Sequence, residues 1–117
     1  IPIGDRPHAG AAIRGYHGDA RGQWDGDTLV VDTTNFSSRS NYRGSRETLH
    51  LIERFTRVAE GIRYEVTVDD PATWTRPWTA ALTLAPQPDG ALFEYACHEG
   101  NHAMRNILSA ARAAEGR

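Results

Sequence analysis

The feature that most constrains this chain is a pair of neighbouring segments, residues 48–58 and 61–69, joined only by Ala59-Glu60. In the second segment Ile62, Tyr64, Val66 and Val68 fall on one face, and Arg63, Glu65, Thr67 and Asp69 on the other. Alternation of this kind marks a half-buried β-strand, and a two-residue connection is the commonest hairpin turn. Such a turn sets Val58 opposite Gly61, Phe55 opposite Tyr64 and Arg54 opposite Glu65. Leu51, Glu53 and Phe55 then share a face with Tyr64, Val66 and Val68. His50, Arg54 and Thr56 lie with Arg63, Glu65 and Thr67 on the other face, where Arg54 and Glu65 make a favourable cross-strand pair. A slip of one residue would bring Phe55 against Arg63, so the amphipathic match fixes the parity.

The flanking text extends the strand plan. Residues 1–20, rich in Gly, Pro and His, read as an irregular N-terminal arm. Residues 22–24 and 28–33 read as two strands around an Asp25-Gly26-Asp27 turn, since Asp-Gly tolerates positive φ. That turn also accounts for the two aspartates better than a calcium loop, which needs further oxygen ligands at fixed spacing. Residues 35–46 form a polar loop, and Asn35-Phe36-Ser37 within it is a formal glycosylation sequon. Asp70-Pro71 ends the 61–69 strand, because proline cannot continue a ladder. Residues 78–84 alternate again, and residues 86–90 are a turn cluster. Residues 91–97 read as a last strand. Met104, Ile107, Leu108 and Ala111 line one stripe of a helix over residues 103–114. The expectation is a mainly β chain: an antiparallel meander of about six strands, a partial lipocalin-like barrel, with a C-terminal helix. Residues 21–117 make a single domain on this reading.

Composition narrows the function. All 13 basic residues are arginine, which excludes Schiff-base chemistry and a phosphate-loop lysine. A formal net charge of -2 with scattered arginines argues against nucleic-acid binding. No apolar run approaches the roughly 20 residues of a membrane-spanning helix. Cys97 is the lone cysteine, which permits no intrachain disulfide and reads as a buried small hydrophobe. The chain opens on Ile1 rather than Met, so a further upstream segment is expected.

Glu53 is the most informative single position, a carboxylate among Leu51, Phe55, Val66 and Val68. Such a group is paired with an arginine, reached by water at a barrel mouth, or protonated and available as an acid or base. His98-Glu99-Gly100-Asn101-His102 matches the H-E-x-x-H string of zinc peptidases. That chemistry needs both histidines on one helical face, whereas the string begins at a strand end, carries Gly-Asn at its centre and lacks a third ligand downstream. No metal is expected there, although folding could bring His98 to His8, His17 or His50. Trp24 and Trp78 are expected in the core; Trp74 is balanced between core and ligand mouth.

Several strings together resemble a family of exported proteins of soil bacteria whose activity is uncharacterised. They are residues 24–31 (Trp-Asp-Gly-Asp-Thr-Leu-Val-Val), Thr34-Asn35-Phe36, Glu53-Arg54-Phe55, Asp70-Pro71 with Trp74 and Pro77-Trp78, and residues 95–101 (Tyr-Ala-Cys-His-Glu-Gly-Asn). The resemblance covers most of the chain. It implies a periplasmic or extracellular location, a signal peptide, and further strand-like sequence before Asp5-Arg6-Pro7-His8. It also implies that His102 is incidental, since members carry an aromatic residue there.

The leading functional expectation is an exported β-barrel domain that binds a small organic or glycan ligand through Tyr64, Trp74, Trp78 and Asn101. A second is an enzyme of lyase, isomerase or hydrolase type using Glu53, His98 and Glu99 as acid–base groups, with no cofactor specified. A third is an assembly module in which open strand edges pair into a homo-oligomer.

Overall fold

Alternation in the sequence becomes one open antiparallel sheet of five strands in meander order. The strands are β1 (Asp19–Asp25), β2 (Thr28–Thr34), β3 (His50–Val58), β4 (Gly61–Asp69) and β5 (Trp78–Leu84), followed by α1 (Ala103–Glu115). The computed structural model describes the chain apart from Asp89, Phe93, residues 96–98 and Arg117. Two compact units result, Ile1–Pro86 with the sheet and Gln87–Arg117 with the helix. No helix among the described residues is long and apolar enough to cross a membrane.

The β3–β4 hairpin has the expected register, with Val58 on Gly61, Phe55 on Tyr64, Arg54 on Glu65 and Glu53 on Val66. The β1–β2 turn places Gly26 at φ +58, a conformation that costs a residue without Cβ little. Arg54 departs from expectation in its partner. Although it faces Glu65 in register, its guanidinium reaches Asp25 at 2.8 Å, and Glu65 pairs with Arg63 along its own strand at 3.0 Å. A long arginine stem reaches across β2 to β1 at little cost on an exposed face, where either pairing contributes at most about 1 kcal/mol.

Parity gives the sheet an inner face carrying Val31, Leu51, Val66, Val68 and Ala80. One half of it is covered. Phe36, Leu49, Leu51, Val66 and Val68 form the buried cluster, with Tyr42, Tyr64, Trp74, Trp78 and Ala80 packed against it. The polar 35–46 loop thus supplies Phe36 to the core. The other half is open: Trp24, Ile62, Leu82 and Leu84 are exposed. β1 begins at Asp19, inside the expected arm of residues 1–20, and the residues before it are firmly attached, through Gly4 N–H to Gly22 O and Gly22 N–H to Pro2 O along the outer edge of β1.

The sixth strand is corrected. Ala91, Leu92, Glu94 and Tyr95 carry no strand structure, and Leu92 and Tyr95 are exposed; Phe93, Ala96 and Cys97 lie outside the described residues. Pro86 and Pro88 remove ladder donors just where a β5–β6 hairpin would start. Barrel closure is not formed by the five strands. In the second unit α1 runs one residue beyond the expected end, and Met104, Ile107 and Leu108 of its apolar stripe are exposed.

Candidate functional site

The inner face holds both the polar pair foreseen in the sequence and an apolar groove that was not. Glu53 is half-buried on that face between Val31 and Val66. Its side-chain partner is a tyrosine rather than an arginine. Tyr64 donates its hydroxyl to Glu53 Oε1 at 2.6 Å, and the Tyr64 ring lies 5.0 Å from that of Phe55. Burial first, then the hydrogen bond to Glu53 and the charge it carries, push the Tyr64 hydroxyl well above the ordinary phenol range. The pair therefore contributes its stability in full below about pH 10, and loses it as pH rises beyond that. Tyr64→Phe leaves the carboxylate without this donor among valines, so it is expected to cost about 1–3 kcal/mol in denaturant unfolding. Glu53→Gln in the same chain should recover part of that loss; an unchanged midpoint in Tyr64→Phe would show that the bond is immaterial.

Below Phe55 the open half of the face forms a groove of about 800 Å³. Trp24, Leu29, Phe55, Arg57, Ile62 and Pro86 are among its walls. Trp24, expected in the core, is 64% exposed here. It is the penultimate residue of β1, opposite Leu29, beyond the reach of the loops that cover the other half of the face. Arg57 was missed in the sequence although the signal was present. Continuing the parity of Leu51, Glu53 and Phe55 by one step puts this cation opposite Ile62 on the apolar face.

Trp74 and Trp78 are half-buried and pack edge to face at 5.6 Å against the core, and the Trp74 indole N–H donates to Ser45 Oγ at 3.2 Å. They belong to the covered half. Glu99 and Asn101 lie in the second unit, exposed, and Asn101 Oδ1 accepts the Ala103 N–H at the start of α1 at 3.1 Å. His98 lies outside the described residues. The described part of the zinc-like string, Glu99 to His102, is turn and loop ahead of α1 rather than helix.

On the outer face, folding gathers a polar cluster with no local signature. Asp32 Oδ1 receives His8 Nε2 at 3.1 Å and His50 Nε2 at 3.0 Å, and His8 Nδ1 faces Asp19 Oδ2 at 3.2 Å. Both His8 contacts are hydrogen bonds only when the ring carries both its N–H protons. The Ala9 N–H holds the Asp19 carboxyl below its usual range; burial works against it, and His8 and Arg21 add to it. This arrangement fastens the arm to β1, β2 and β3 and bounds a pocket of about 380 Å³ lined by Arg6, His8, Arg21, Val30, Asp32 and Ile52 among others. His17 lies elsewhere, against the Tyr16 ring at 5.2 Å. Among the described residues no group of three His, Cys, Asp or Glu side chains is placed to hold a metal ion.

Comparison with family models, curated proteins and solved structures finds no match.

Proposed function

We propose that this sheet is the wall of a lipocalin-like binding site in an exported protein, and that its ligand is a small organic molecule with a flat apolar body and an anionic group. The observation behind this reading is Arg57. A cation that strand parity sets beside Phe55 and Ile62 needs an anion more than a hydrocarbon, and the groove beside it has the size and apolar lining of a small-molecule site. The exposed Trp24 ring offers a stacking surface at the same groove.

Anilinonaphthalene sulfonate, an aromatic anion, is a suitable probe. Titration should give a saturable rise in its fluorescence. Trp24→Ala and Arg57→Ala should each weaken binding about five-fold or more, the equivalent of about 1 kcal/mol. Met104→Ala, in the second unit, should leave binding unchanged. Absence of saturable binding, or equal binding by all the variants, would remove the groove from consideration.

A further inference from the structure

The two edges of the sheet are treated differently. Along β1 the arm occupies both outward main-chain groups of Gly22, and the strand itself carries Asp19, Arg21 and Asp25. Charge and cover of this kind keep an edge from pairing with other chains. On β5 neither is seen among the described residues. Among the described residues no strand pairs with its second edge, and Trp-Thr-Ala-Ala-Leu-Thr-Leu contains no charge, proline or glycine. That is a long edge with high β propensity and no gatekeeper.

We propose that β5 is a self-pairing edge, and that its partner is β5 of a second copy of this chain, antiparallel about a two-fold axis at Ala81. In that register Ala81 meets its own copy, Thr79 meets Thr83, Ala80 meets Leu82 and Trp78 meets Leu84. Each pairing is chemically matched. Threonines already bond across neighbouring strands here, with Thr67 Oγ1 and Thr79 Oγ1 2.8 Å apart and Thr28 Oγ1 and Thr56 Oγ1 also 2.8 Å apart. Thr79 lies on the outer face and so does Thr83, so the same ladder extends by one strand through the two-fold. Trp78, Ala80, Leu82 and Leu84 lie on the inner face, so the pairing sets the open end of each subunit's face, Leu82 and Leu84, beside the covered end, Trp78 and Ala80, of the other. No other register matches both threonines with threonines inside β5, since an axis at Thr79 would set Thr83 against Thr75 outside the strand, and no charge opposes its copy at the axis. An isologous contact of this kind closes at two subunits and leaves no free β5 edge.

This inference is independent of the ligand reading, and a failed probe titration does not touch it. Sedimentation equilibrium on the full chain should give a mass twice the 12.9 kDa of one copy at high concentration. Ala81→Lys places an ammonium opposite Glu65 within its own subunit, which the fold accommodates, but sets two ammonium groups against each other at the axis. It should be folded by circular dichroism and monomeric. A second readout does not depend on that variant. In a Cys97→Ser chain, Ala81→Cys should give an oxidised dimer, whereas Thr83→Cys should not, its copy lying about 13 Å away along the strands. A monomeric wild type, a dimer that survives Ala81→Lys, or equal cross-linking at 81 and 83 would overturn the proposal.

Discussion

Gly61→Ala is expected to lower the unfolding free energy by at least about 3 kcal/mol and to abolish amide protection along β5. Gly61 sits at φ +139, a conformation that L side chains rarely adopt. A Cβ there would also run into the Leu84 carbonyl oxygen and approach Pro86 Cδ at 3.2 Å. Neither neighbour yields easily, since one is backbone and the other a ring. The chain needs this clearance because Ile62 pairs with Leu84, so the end of β5 lies directly beside the start of β4 in the sheet. Gly26 provides the contrast. It too has positive φ, but open space surrounds it, so Gly26→Asn is expected to cost less than about 1 kcal/mol. Equal melting temperatures for the two variants would show that the contact between Gly61 and the end of β5 is not tight.

Asp70→Asn is expected to remove about 2 kcal/mol at neutral pH and to flatten the acid limb of the stability curve. Asp70 is 1% exposed and ends β4. Its Oδ1 accepts the Thr48 hydroxyl at 2.6 Å and the Ala72 N–H at 3.1 Å, while its carbonyl accepts the Thr73 and Trp74 N–H groups. Burial alone would raise the carboxyl. The hydroxyls of Thr48, Thr73 and Ser45 and the Ala72 N–H outweigh it and hold the group near 2, below the ordinary 3.8. A folded-state value below the unfolded one means stability that is complete above the unfolded value and is lost as pH falls through the folded one. Wild type should therefore lose about 2 kcal/mol between about pH 5 and pH 2, and Asp70→Asn should not. Parallel curves for the two proteins would separate Asp70 from acid stability.

Both residues bear on what could be read from the sequence. β4, β5 and the β3–β4 register were legible to the residue, while β3 begins at His50 rather than at residue 48; an uninterrupted alternation over β4 leaves one parity and a two-residue turn leaves one register. The position of Glu53 followed from that register; its partner did not. An aromatic hydroxyl on the next strand is not singled out by pattern, since Tyr64 counts as apolar in any alternation. Asp70 read only as the residue before a proline, although its side chain ties the turn carrying Trp74 to Thr48. Its burial comes from the 45–49 segment folding over it, a non-local event. The sixth strand was overread because short apolar stretches do not by themselves distinguish strands from irregular chain. Trp24 was misplaced for a related reason: a large aromatic at a strand end is buried only if something covers it, and the loops cover the opposite half of the face.

The groove reading is tested most directly by two-dimensional amide and indole NMR during titration with anilinonaphthalene sulfonate. Saturable shifts at Trp24, Leu29, Phe55, Arg57 and Ile62, with Trp74 and the Val66–Val68 region unmoved, are the expected result. Shifts centred on α1 or on the arm cluster around His8 and Asp32, or none at the groove, would contradict it.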